Sequence, residues 1–155
     1  MHTQRSRPGF TLIETMVVLL IAAIVLTAGL PLLQSMVSRQ RVVAAANDFF
    51  HAAHLTRTTA LRQGHHAAMH PTDRNDWRQG WQILVDNRLV MTHPALDAGI
   101  EVTYNNNGEK VAYHADGRPD GPSTWFFSSG DTERRVIINF LGRIRICDPA
   151  RRASC

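Results

Sequence analysis

The chain reads as an α+β protein in which one long N-terminal helix packs its second half on a small antiparallel β-sheet head. Three observations lead there. A single acid, Glu14, is followed by a stretch without charge from Thr15 to Ser38. Val42, Ala46, Phe49, Ala53, Thr56 and Ala60 then recur at spacings of three and four, the period of a helix with one apolar stripe. Beyond Gly64 come short apolar segments separated by turn residues, the pattern of antiparallel strands. At 155 residues the chain has room for one globular domain and an extension.

The first element is a nine-residue start, 1–9, with positive charge at Arg5 and Arg7 and a helix-breaking Pro8-Gly9. The apolar segment 10–33 follows. Its 24 residues make about 36 Å of helix, enough to span a hydrocarbon core of about 30 Å. Pro31 lies inside it and removes one helical hydrogen bond. The amphipathic continuation, 34–63, keeps Arg41, Asp48, His51, Arg57 and Arg62 largely off the stripe, so one helix is expected from Thr11 to Gln63 with Gly64 as its stop.

The head, 64–146, should begin with a strand at His66–Met69. Trp81–Val85 turns through Asp86-Asn87-Arg88 into Leu89–Met91. Ile100–Tyr104 and Lys110–Tyr113 flank Asn105-Asn106-Asn107-Gly108, which reads as a hairpin because Asn and Gly accept positive φ. Trp125–Phe127 comes next, and Arg135–Phe140 and Arg143–Ile146 form a last hairpin around Leu141-Gly142. A basic tail, 147–155, closes the chain.

Gly9, Phe10, a Glu four residues later and Pro31 together resemble the class III leader and helix of type IV pilins and pseudopilins. The head adds Trp77-Arg78-Gln79-Gly80-Trp81, followed by Asp86, and the ending Arg135–Arg145. Both resemble the GspH/FimT pseudopilins. The resemblance implies the type IV pilin fold, cleavage after Gly9 by a prepilin peptidase and methylation of the new N-terminal Phe10. It also implies that Glu14 neutralises the amine of Phe10 on a neighbouring subunit, and that the helix loosens near Pro31 in the fibre. The chain would sit in the inner membrane as a single pass with a periplasmic head, then join major and minor pilins in a pilus or pseudopilus at the cell surface. An export signal implies an oxidising compartment, so Cys147 and Cys155, the only cysteines, are expected to form a disulfide closing a small terminal loop, the alternative being two free thiols.

Charge points to the ligand. The last 22 residues carry Arg134, Arg135, Arg143, Arg145, Arg151 and Arg152 against one acid, Asp148. Such asymmetry suits a polyanionic partner. Within it, Gly142-Arg143-Ile144-Arg145 places two guanidiniums two residues apart, on one face of a strand, with Ile144 turned inward. Arg suits bidentate phosphate contacts. The motif is similar to the Gly-Arg-x-Arg of FimT-type minor pilins that bind DNA in natural transformation. That resemblance implies DNA binding through Gly142, Arg143 and Arg145; by charge, Arg151 and Arg152 would extend the patch, Arg134 and Arg135 beside Glu133 are further candidates, and binding to double-stranded DNA should be sequence-independent. Two alternatives stand: a solvated edge strand that discourages aggregation, or pairing with acids on an adjacent subunit. The corresponding rival function is a GspH-like pseudopilin with a structural or priming role in type II secretion.

No catalytic arrangement is visible, and no cofactor is implied. His51 and His54 share a helix face, but no Cys or acid joins them, or His65, His66 and His70, at a metal-ligand spacing. Trp77, Trp81 and Trp125 read as core or interface residues.

Overall fold

The computed structural model describes residues 9–73, 76–106, 108–151 and 155, with the side chains at 28 and 30–32 also outside the description. The chain divides into two units, Met1–Val37 and Ser38–Cys155. Helix α1 (Leu12–Gln63) contributes to both.

In the first unit, Thr11 caps the helix. Its side-chain oxygen accepts from the Glu14 N–H at 3.3 Å, an arrangement that also puts the acid in the first turn, where it complements the helix dipole. Phe10, Leu12, Ile13, Leu19 and Leu20 are all exposed, and apolar surface of this extent marks a protein or membrane contact. Among the described residues no helix is long and apolar enough to cross a membrane.

The second unit is the head. Among the described residues it carries eight strands: β1 (Ala67–Asp73), β2 (Asp76–Val85), β3 (Arg88–His93), β4 (Glu101–Asn106), β5 (Val111–Tyr113), β6 (Ser123–Ser129), β7 (Thr132–Ile138) and β8 (Ile144–Cys147). They form two antiparallel sheets of four, ordered β3-β2-β1-β5 and β4-β6-β7-β8. The helical stripe Val42, Ala46, Phe49, Ala53, Thr56 and Ala60 is wholly buried, joined by Ala45 and Ala52. Its small residues let the helix approach closely. Phe49 supplies the bulk, with its ring 5.0–5.4 Å from those of Trp77, Trp81, Trp125 and Phe127. The helix ends where the Gly64 N–H reaches the Ala60 carbonyl at 2.9 Å.

The expected hairpin around Asn105–Gly108 is not there. β4 pairs with β6, from Glu101↔Ser128 to Asn106↔Ser123, while β5 pairs with β1. Asn106 does take a positive φ of 53°, but the chain passes here from one sheet to the other. Two indoles decide the path. Trp77 and Trp125 both donate to the Gly108 carbonyl, at 2.8 and 3.2 Å, which draws Gly108 into the core.

Candidate nucleic-acid interface

β7 and β8 pair in register from Arg135↔Cys147 to Ile138↔Ile144, and β8 is an edge strand. The turn between them is built by main-chain bonds and one side chain. Asn139 Oδ1 accepts from the N–H groups of Leu141 and Arg143, at 3.1 and 2.8 Å. The Gly142 N–H donates to the Asn139 carbonyl at 2.9 Å. Gly142 has φ +76°, and a Cβ there would lie 2.7 Å from the Gly117 carbonyl oxygen. Only glycine fits such a turn without strain.

Arg57 of α1 holds this turn from behind. Its guanidinium donates to the carbonyls of Gly142 at 2.8 Å, Gly117 at 3.0 Å and Leu141 at 3.2 Å. The periodicity of the sequence placed Arg57 off the apolar stripe, which suggests a solvated surface residue. Its position three residues before buried Ala60 and four after buried Ala53 was the available signal that it lies on the stripe's margin.

Arg143 and Arg145 flank buried Ile144 and are both exposed. Arg143 has no side-chain partner among the described residues. Arg145 Nη2 donates to the main-chain oxygen of Cys155 at 3.2 Å, using one of its five N–H groups. Cys155 is disulfide-bonded to Cys147, with Cα atoms 5.8 Å apart, so the tail returns to β8.

The remaining arginines separate from this pair. Arg134 is 17% exposed and bonded to Asp148, itself 18% exposed, at 2.9 Å. Arg135 pairs with Glu133 and lies over the Phe126 ring, 5.3 Å from its centroid. Both are committed to contacts within the head. Arg151, 86% exposed, approaches the same Asp148 at 3.6 Å and keeps most of its guanidinium in solvent. Arg152 lies outside the described residues.

The other expected positions fall in the first unit. Gly9 and Phe10 precede α1 and are exposed, Glu14 lies in its first turn, and Pro31 lies within it, its side chain outside the description. Residues 1–8 of the leader are also outside the description. Among the described residues no group of three or more His, Cys, Asp or Glu side chains is placed to hold a metal ion.

A helix packed on a two-sheet head, with a methylation-type start, defines a pilin-like subunit. The family model of the type II transport protein GspH matches residues 45–142, and that of the prokaryotic N-terminal methylation motif matches residues 4–30. The chain belongs to the GspH family and is a minor pilin or pseudopilin of a type IV pilus or a type II secretion system. No curated protein matches it significantly. The type IV minor pilin FimU of Pseudomonas aeruginosa has the same fold, with a TM-score of 0.65 at 19% identity over 72% of this chain and 92% of that one. The minor pseudopilin EpsH of the Vibrio cholerae type 2 secretion system does too, with a TM-score of 0.57 at 15% identity over 70% and 98%. The family implies association with other pilins, and the methylation motif implies a prepilin peptidase. The GspH match ends at Gly142.

Proposed function

We propose that this subunit is a FimT-like minor pilin that captures extracellular DNA for natural transformation, holding phosphates through Arg143 and Arg145. The observation that carries the reading is the pair itself. Both guanidiniums are exposed, Arg143 at the end of the β7–β8 turn and Arg145 on edge strand β8, and neither has an Asp or Glu partner among the described residues. Arg151 extends the surface, and Arg152 follows it in sequence. Phosphate contacts of this kind are blind to sequence, as uptake from the environment requires. A single subunit would bind weakly, in the range of about 10⁻⁴–10⁻⁶ M, and several copies along a fibre would gain by multivalency. In this reading Gly9 is the cleavage point, Phe10 the methylated N-terminus and Glu14 its partner on a neighbouring subunit. The apolar segment 10–33, some of whose side chains lie outside the described residues, anchors the precursor in the inner membrane.

The rival is a structural pseudopilin of a type II secretion system. The GspH match and the likeness to EpsH favour it. Replacing the chromosomal copy by Arg143→Ala/Arg145→Ala separates the two. The DNA-capture reading expects uptake of labelled DNA to fall while fibres still assemble. Unchanged uptake, or a loss of protein secretion on deleting the subunit with no effect on uptake, supports the structural role.

A further inference from the structure

Phe140 and Leu141 stand at the tip of the β7–β8 turn, 70% and 60% exposed. The fold does not require them there. Asn139, Gly142 and Arg57 set the turn's shape through main-chain groups, and neither side chain at 140 or 141 takes part. An apolar pair left in water by a turn that does not use it marks a contact surface.

Its surroundings narrow the ligand. Arg143 follows within three residues, exposed and without a side-chain partner among the described residues. Phe140 also borders an open groove with His114, Pro119 and the Arg118–Asp116 ion pair. Lipid offers phosphates and apolar chains but no flat ring for Phe140 to stack on, and an apolar protein face offers the guanidinium no anion. A strand of nucleic acid answers both, because it alternates phosphates with flat rings. In an intact duplex those rings are stacked inside; in a single strand every base offers a face, and aromatic side chains stack on it whatever the sequence.

We propose that Phe140 is a base-stacking residue, so that the site prefers single-stranded DNA, or the unpaired ends of duplexes, to closed duplex. This rests on the reading of Arg143 and Arg145 as phosphate ligands and adds a second mode of contact to it.

The test uses the full chain in nonionic detergent micelles and fluorescence anisotropy with three labelled probes. These are an oligothymidylate, an abasic oligomer of the same length and a closed hairpin duplex. We expect the oligothymidylate to bind more tightly than the abasic oligomer, by on the order of tenfold. Phe140→Ala should remove that difference and leave duplex binding in place. Phe140→Trp should keep it and show added fluorescence that is quenched by the oligothymidylate. Equal affinity for the thymidylate and abasic probes, or a Phe140→Ala chain that binds all probes like wild type, overturns the stacking role while the phosphate reading stands. A chain that binds none of the three overturns both.

Discussion

Arg57 Nη1 donates to the Gly142 carbonyl at 2.8 Å, and this bond joins the head's helix to the turn that presents Arg143. The same guanidinium takes the Gly117 and Leu141 carbonyls, so one side chain gathers two loops that are far apart in sequence. Arg57→Ala leaves three carbonyls without their charged donor. It should destabilise the head by about 2 kcal/mol, read from the urea midpoint. Arg57→Lys should recover little, because an ammonium is a point charge and cannot match three separated acceptors with a planar fork. Both variants should also weaken DNA binding, although Arg57 itself makes no contact with the ligand.

Gly142→Ala tests whether the glycine of the Gly-Arg-x-Arg motif serves the fold or the ligand. At φ +76°, with the Gly117 oxygen 2.7 Å from where the Cβ would sit, the substitution should cost more than about 1 kcal/mol. The thermal midpoint should therefore fall whether or not DNA is present. A variant of unchanged stability and reduced affinity would instead make Gly142 a ligand contact.

The Cys147–Cys155 bridge closes a short loop, with a sequence separation of 8. By chain entropy it should contribute about 2–3 kcal/mol. Reduction, or Cys147→Ser/Cys155→Ser, should lower the melting temperature. It should also release the tail from Arg145, and the drop in DNA affinity should be smaller than that from Arg143→Ala/Arg145→Ala.

His70 offers a pH test. Burial lowers its pKa below the usual histidine value, and the nearby Lys110 and His66 push it the same way. The unfolded chain therefore binds a proton at His70 more readily than the folded one. Its contribution to stability is complete above the unfolded value of about 6.5 and is lost as the pH falls through the window below it. Histidine ring resonances followed by NMR against pH should show His70 titrating below that value. His70→Gln should reduce the loss of stability between neutral and mildly acid pH.

Much of the architecture was legible because it is periodic. The stripe from Val42 to Ala60 is a helical repeat, and every member is buried. Trp77 and Trp81 were likewise readable as core. The Asn105–Gly108 turn misled because turn chemistry reports that the chain reverses, not which strand it meets next. The partners of β4 and β5, namely β6 and β1, are set by the core, with Gly108 drawn in by two indoles. At the site, exposed Arg145 beside buried Ile144 follows strand alternation, whereas Arg143, expected on the same strand, lies just before β8 in the turn. Arg134 and Arg135 looked alike in sequence, yet neighbours on a strand face opposite ways. One found Asp148 and the other Glu133. Arg57 stayed hidden because its acceptors are main-chain carbonyls, which leave no mark in a sequence.

Whether Arg143 and Arg145 hold DNA through its phosphates is decided by titrating the full chain in nonionic detergent with labelled duplex at low and moderate salt, beside Arg143→Ala/Arg145→Ala. Wild-type affinity should fall steeply with salt, with a log–log slope of about −0.9 for each phosphate engaged, and the double variant, still folded, should lose most of its binding and flatten that slope. Equal affinity and equal slope in the two proteins would contradict that role.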